Sequence, residues 1–197
     1  MNRPVNTDQH QYFERAQRVL AGGSLGNIYD DIVLCEGNGA RVRDVGGNEY
    51  IDYLLGSGPM LVGHRHPQVN EAVQRQIEKG ATFFATNDQS ITLAEHIVDA
   101  LPCAEKVRFM ASGSEATSYA MRAVRAFRGR DVMLKFEGGF HGMHDYALMS
   151  WAPVRPPDFP QALPDSAGIP EYVAGQVLIA PFNDIQATAE LIRGHHD

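Results

Sequence analysis

The sequence predicts an α/β fold: an incomplete parallel or mixed sheet flanked by helices and preceded by a small antiparallel meander. Three observations predict it. Short apolar runs at Lys106–Ala111, Asp131–Phe136 and Gln176–Ala180 alternate with helical periodicity at 115–128 and 184–193, the strand–helix–strand order of a parallel sheet. Between residues 32 and 53, alternating segments are separated by Gly37-Asn38-Gly39 and Gly46-Gly47-Asn48, which are hairpin-type turn signals. The sequence given closes on "IRGHHD" after a helical pattern, so three parallel strands would leave an exposed edge and an unfinished sheet.

Each element has its own signal. Tyr12–Leu20 reads as a short helix with Phe13, Ala16, Val19 and Leu20 on one side, closed by Gly22-Gly23. The meander follows, with strands expected near 32–35, 40–44 and 49–53. "HPQVNEAVQRQIEKG" starts a helix at Pro67, places Val69, Ala72, Val73 and Ile77 on one face, and ends it near Gly80. Ser90–Leu101 carries Leu93, Ile97 and Leu101 on one stripe. Residues 152–174 hold six prolines and little periodicity, which predicts a long loop suited to a lid, a subunit contact or a surface excursion.

Bulk properties bound the function. The chain has 197 residues, 44% of them hydrophobic, enough for one large domain or one and a half smaller ones. Net charge is −7, and the three lysines (Lys79, Lys106 and Lys135) form no basic stripe, which argues against a nucleic-acid partner. Cys35 and Cys103 lie in unrelated contexts, so a reducing, cytoplasmic setting is expected rather than a disulfide framework. The first twenty residues have no signal-peptide core, and no window approaches the ~18 apolar residues of a membrane span. A soluble protein with no membrane partner is predicted.

The stretch "FMASGSEATSYAMRAVRAF" turns from an apolar run into a helix through three small residues. Ser112 and Glu115 have the S-x-x-E spacing of a capping box. Behind them Ala116, Ala120, Ala123, Val124 and Phe127 form an apolar face, with Arg122 and Arg125 expected to point away. Capping does not account for Gly113 and Ser114, which keep the first turn slim and its amides accessible. Bare N–H groups at a helix start suit a phosphate. A second loop, "KFEGGFHGMHD", follows the next strand and is expected on the same sheet edge, where ligands of parallel sheets bind. Its glycines allow close backbone approach, and Phe140-His141 offers a flat ring and an imidazole. Together the two turns describe a site for a planar aromatic phosphate.

The motifs "ASGSEAT", "FEGGFHGMHD" and "YIDYLLGSGPMLVGHRHP" together resemble the amino-terminal half of class III, fold-type I pyridoxal-phosphate aminotransferases, in the branch of the glutamate-1-semialdehyde 2,1-aminomutases. The resemblance runs from about Gly22 to Ile192. It implies a fold-type I PLP-transferase fold, with residues 1–66 as the helix and meander of a small domain and 67–197 as the first part of the large PLP-binding domain. It implies pyridoxal 5'-phosphate as cofactor, an amino acid or amino-aldehyde as substrate, and a homodimer. By the same resemblance, Gly113 and Ser114 would hold the cofactor phosphate. Phe140, where tyrosine is commoner, would stack on the pyridine without a phenolic hydroxyl, and His141 would support ring position. Gly56-Ser57 stands where typical aminomutases carry Ser-Trp, so Ser57 would line the substrate pocket without an indole.

Such enzymes need a Schiff-base lysine and an aspartate on the pyridinium nitrogen. The family carries both in the half that follows, and none of the three lysines lies in the family's lysine context. The isolated chain is therefore expected to be inactive. Two other readings stay open: a non-catalytic PLP- or phosphate-binding or interaction module, including half of a split enzyme, and a histidine-based metal hydrolase. His64, His66, His141 and His144 lie in glycine-rich loops rather than on one helix face, which points to ring contacts and turn packing instead of a metal. Ser112 lacks the G-x-S-x-G elbow of a nucleophile, and no G-x-x-x-x-G-K phosphate loop is present.

Overall fold

The computed structural model describes residues 7–25, 32–152 and 158–195. The chain divides into two compact units, Met1–Asp88 and Gln89–Asp197.

In the first unit, helix α1 spans Thr7–Val19 and runs into a tight turn at Ala21–Gly23. Gly22 and Gly23 take φ of 70° and 74°, the left-handed values that close a helix at low cost with glycine. The meander forms strands β1 (Leu34–Asn38), β2 (Arg41–Asp44) and β3 (Glu49–Ile51), paired antiparallel in that order. Val42 faces Gly37 on one side and Tyr50 on the other, and an irregularity between Leu34 and Glu36 shifts the register. The second turn is locked by a carboxylate. Asp44, only 1% exposed, accepts from the Asn48 backbone N–H at 2.8 Å, the Asn48 side chain at 2.9 Å and the Tyr50 hydroxyl at 2.7 Å. Helix α2 (Pro67–Ile77) starts on its proline, as that residue's missing N–H allows, and Gly80 past its end has φ of 98°.

Helix α3 spans Asp88–Ala100, all but its first residue in the second unit, and α4 spans Gly113–Arg128. Strands β4 (Met133–Phe136) and β5 (Val177–Ala180) pair parallel, Met133 opposite Val177 and Phe136 opposite Ala180. Helix α5 (Glu171–Ala174) precedes β5, and α6 (Ile185–Gly194) follows it, capped by Asp184 Oδ1 accepting from Ala187 N at 3.0 Å.

Two expectations change here. Lys106–Ala111 is not a strand: an extended run becomes one only through a hydrogen-bonded neighbour, and no described segment pairs with it in a sheet. The described part of the proline-rich stretch is no surface excursion either. The Ile179 N–H donates to Pro160 O at 2.9 Å and Gln161 bridges Leu178, so this segment covers the outer edge of β5. Ala162 and Val173 then join Met149, Val177 and Ile179 in the buried core. The apolar residues spaced through the prolines were the signal, masked by the absence of any regular period.

The helices of this unit keep apolar surface outward among the described residues. Neither α3 nor α4 contains a buried residue, and Phe127 is 87% exposed. No described helix is long and apolar enough to cross a membrane.

Candidate functional site

The start of α4 is built as its sequence prescribes, with one difference of detail. Ser112 is the N-cap, extended at φ −148°, and its Oγ accepts from Glu115 N at 3.2 Å. Glu115 reaches back one residue further than in the usual box, its Oε2 accepting from Ala111 N at 2.9 Å. The next amide, Ala116 N, is bonded to Ser112 O at 3.0 Å. That leaves the N–H groups of Gly113 and Ser114, the first two of the helix, with no acceptor among the described residues. A Cβ built on Gly113 would meet nothing within 4 Å, so the space in front of this turn is open.

The glycine loop after β4 is fastened to that helix start. Met143 N donates to Ser114 Oγ at 2.9 Å, which leaves the hydroxyl proton of Ser114 for another acceptor. Gly142, at φ 108°, crosses so closely that a Cβ there would lie 2.7 Å from Ser114 Cα. Thr117, one turn into α4, places Oγ1 2.6 Å from His141 O and 3.2 Å from His144 Nε2. Its single proton goes to the nearer carbonyl, so His144 Nε2 is the donor of the second bond. Sequence reasoning missed Thr117. Its signal was position: a hydroxyl four residues after Gly113 returns to the face above the first turn.

Phe140 and His141 lie at the loop's tip. Phe140 is 49% exposed, with one ring edge against Trp151 at a centroid distance of 5.1 Å and an angle of 60°. The exposed ring face is what a planar ligand could cover. The His141 ring folds over Gly139, where a Cβ would come within 2.8 Å of Nε2. Burial holds the His141 pKa below its ordinary 6.5, and the Lys135 charge pushes the same way. His144 is also lowered, by burial first and by Arg125 and His141 after it, with Asp145 working against them.

Arg125 does not point away as expected. Its guanidinium lies 3.9 Å from the Tyr146 ring centroid and its Nε donates to Asp131 O at 2.6 Å, because the 144–147 turn packs onto that side of α4. Arg122 instead rests over Tyr119 of its own helix, 5.2 Å from the ring centroid.

The turn carrying Ser57 belongs to the first unit. Leu55, Gly56, Ser57 and Gly58 have φ of 49°, 63°, 66° and 110°, four consecutive left-handed residues, two of them not glycine. Each non-glycine residue there carries a cost of roughly 1–2 kcal/mol, so the surrounding structure has to impose the conformation. Asp52 Oδ1 accepts from Leu54 N and Leu55 N, both at 2.9 Å, and holds the entry to the turn. His64 closes its far side. Its backbone exchanges two hydrogen bonds with Gly39, at 2.8 and 2.9 Å. Among the described residues no group of three His, Cys, Asp or Glu side chains is arranged to hold a metal.

Comparisons with known proteins follow the same residues. The sequence profile of the family described as aminotransferase class-III matches residues 25–189. A glutamate-1-semialdehyde 2,1-aminomutase of Methanothermobacter thermautotrophicus is 45% identical over 188 residues, covering 93% of this chain and 44% of that protein. The crystal structure of an omega-transaminase from Sphaerobacter thermophilus superposes with a TM-score of 0.91 at 37% identity, covering 98% of this chain and 45% of the other. A second structure, described as a transaminase with PLP bound, gives 0.91 at 30% identity over 99% of this chain and 46% of its own. The chain thus spans less than half the length of these relatives.

Proposed function

Because the chain belongs to the class-III aminotransferases, we propose that its second unit supplies the phosphate and ring seat for pyridoxal 5'-phosphate in an enzyme of amino-group transfer. One observation carries this reading. The 2.9 Å bond from Met143 N to Ser114 Oγ sets the open helix start beside the loop that presents Phe140 and His141. An anion seat and a flat ring platform are therefore adjacent, as a planar aromatic phosphate requires.

The fit is physical. The two amides of Gly113 and Ser114 and the Ser114 hydroxyl proton are donors in search of acceptors, and the positive end of α4 adds to them. The space over Gly113 is open. Phe140 would lie against the pyridine ring, and a neutral His141 would add contact without adding charge to the site. When bound, the cofactor supplies an aldehyde that takes up an amino group and a ring that draws electrons from the reacting carbon. What these residues do is bind the phosphate, orient the ring and exclude water from one of its faces.

The substrate in this proposal is an amino acid or amino-aldehyde, and the branch is that of transaminases or glutamate-1-semialdehyde 2,1-aminomutases. Ser57 is proposed to contact the substrate; its support is the strained turn, a conformation that proteins hold at working sites more often than elsewhere. A homodimer, a cytoplasmic setting, and the division into small-domain residues 1–66 and large-domain residues 67–197 belong to the same proposal. A second reading, a phosphate-ligand module working with a separate polypeptide, is favoured by the outward apolar faces of α3 and α4.

The test uses pyridoxamine phosphate, which has the ring and the phosphate but no aldehyde to react with stray lysines. Trp151 is the single tryptophan and touches Phe140, so its fluorescence reports on this loop. Saturable quenching is expected, competed by inorganic phosphate and weakened about tenfold in Ser114→Ala, the loss of one hydrogen bond to a charged group. Quenching that is absent, or indifferent to that substitution, would overturn the assignment.

A further inference from the structure

We propose that Lys135 is a positioning residue for the ring-bearing loop: its buried side chain ties β4 to the 147–149 segment, and the next residues, Ser150 and Trp151, hold the start of the loop at Gly138 and its ring at Phe140. The inference rests on the cofactor-site reading above and names a residue that reading does not use.

Lys79 and Lys106 are exposed, whereas Lys135 is 6% exposed in the middle of β4. A buried ammonium is costly unless its protons are bonded, and here two of the three have carbonyl acceptors. Nζ donates to Ala147 O at 3.0 Å and to Met149 O. Met149 is fully buried in the core, so this anchor is rigid. The next two residues then reach back to the loop. Gly138 N donates to Ser150 O at 2.8 Å, and the Trp151 ring meets Phe140 at 5.1 Å. Ser150 is itself fixed to Leu163 through its N–H, at 2.7 Å, and through its Oγ, which accepts from Leu163 N at 3.0 Å.

The result is a closed circuit: from the Lys135 side chain to Ala147 and Met149, on to Ser150 and Trp151, and back to Gly138 and Phe140. A loop with three glycines has little stiffness of its own. Its shape is imposed at the base, and Lys135 is the only side chain of β4 among the described bonds that spans it.

The charge has a second effect. The Lys135 charge interacts with that of Asp165, whose carboxylate accepts from Trp151 N at 2.7 Å and Ala152 N at 3.0 Å, and it acts on His141 of the loop. Asp165 offsets part of the burial penalty on the ammonium, while the ammonium disfavours a proton on His141. Around His144, the next imidazole, stand Asp145, Arg125 and His141. Lys135 therefore sets where the loop sits, and its charge adds to burial in favouring the neutral form of His141.

Two variants separate this role from simple stability. Lys135→Met removes donor and charge; Lys135→Gln retains an N–H donor without the charge. Imidazole NMR titration should show the His141 midpoint rising toward 6.5 in both. Pyridoxamine phosphate affinity, read from Trp151, should fall at least tenfold in Lys135→Met and by less in Lys135→Gln, with a red-shifted Trp151 emission in the Met variant. A folded Lys135→Met or Lys135→Gln protein with the wild-type His141 midpoint and wild-type Trp151 emission overturns the proposal. If the Met variant does not fold, the Gln variant decides through the same two signals. Absence of probe binding in the wild type would count against the cofactor reading alone, because the midpoint and the emission still test Lys135.

Discussion

Asp52 Oδ2 lies 2.7 Å from His64 Nε2, a side-chain contact that spans the whole loop bearing Ser57. The two groups are largely shielded, at 11% and 23% side-chain exposure. The pair turns a run of left-handed residues into a defined shape: Asp52 fixes the amides at the entry and the His64 ring at the exit. The ring also sits where a side chain on Gly37 would be, with Nδ1 2.6 Å from a Cβ built there. The loop is in this way tied to the meander as well as to itself.

The bond from His64, the backbone N–H groups of Leu55 and Leu54, and the His64 charge hold Asp52 below its ordinary pKa of 3.8 against the effect of burial. A carboxylate lowered on folding adds stability at pH above 3.8, and that contribution is lost as the pH falls through the folded value. Asp52→Asn should therefore be less stable than the wild type at neutral pH, and the difference should shrink below pH 3.8. Urea unfolding at a series of pH values measures this. A constant difference across the acid range would refute it.

Ser57→Gly should stabilise the fold by about 1 kcal/mol, since glycine takes φ of 66° without the penalty that serine meets. If the hydroxyl contacts substrate, the same change weakens substrate binding, so stability and function should move in opposite directions. Thermal unfolding gives the first quantity. A destabilised Ser57→Gly variant would show that the hydroxyl holds the turn instead.

Gly113 and Gly142 should respond differently to alanine. Gly113 sits at the first helical position with open space at its Cβ, so Gly113→Ala should leave the fold within about 1 kcal/mol of the wild type or slightly more stable. It should still weaken binding of a phosphate ligand by crowding the approach. Gly142→Ala meets a positive φ and Ser114 Cα at 2.7 Å, and should destabilise by roughly 1–3 kcal/mol. Chemical denaturation of both variants, beside phosphate titration of the first, distinguishes a ligand-facing glycine from a packing one.

His144 should be neutral at pH 7 in its Nε2–H form, since Thr117 Oγ1 has already directed its proton to His141 O. Burial lowers its pKa below 6.5, so the folded state binds fewer protons than the unfolded one as the pH drops. Stability from this group is present above 6.5 and is lost as the pH falls below it. Two-dimensional imidazole spectra give tautomer and midpoint together. An Nδ1–H form, or a midpoint above 6.5, would contradict the geometry.

Much of this was legible in the residues. Pro67 and Gly80 bracketed α2 because one cannot accept a hydrogen-bonded interior position and the other closes a helix cheaply. Ser112 and Glu115 marked the start of α4, since the orphan amides of a helix need nearby oxygens wherever the helix lies. The Gly46-Gly47-Asn48 turn of the meander fell where expected, whereas the first turn moved to Gly39–Ala40, because Gly37 and Asn38 pair with Val42 and Arg41 as part of β1. Class-III aminotransferase membership was carried by the same local motifs.

The residues that were not legible act over distance. Lys135 lies in an apolar run, and only the packing of residues 147–149 against β4 gives its ammonium acceptors. Arg125 turns toward Tyr146 because the segment after the glycine loop folds onto that side of the helix. The proline-rich stretch enters the core because β5 offers it an edge. By itself, then, the sequence determined the caps, the turns and the open amides of Gly113 and Ser114, all of which are satisfied or exposed within a few residues. The tertiary structure decided how the Phe140–His141 loop is held and where Lys135 and Arg125 point, because a buried charge is tolerable only beside partners that packing brings to it.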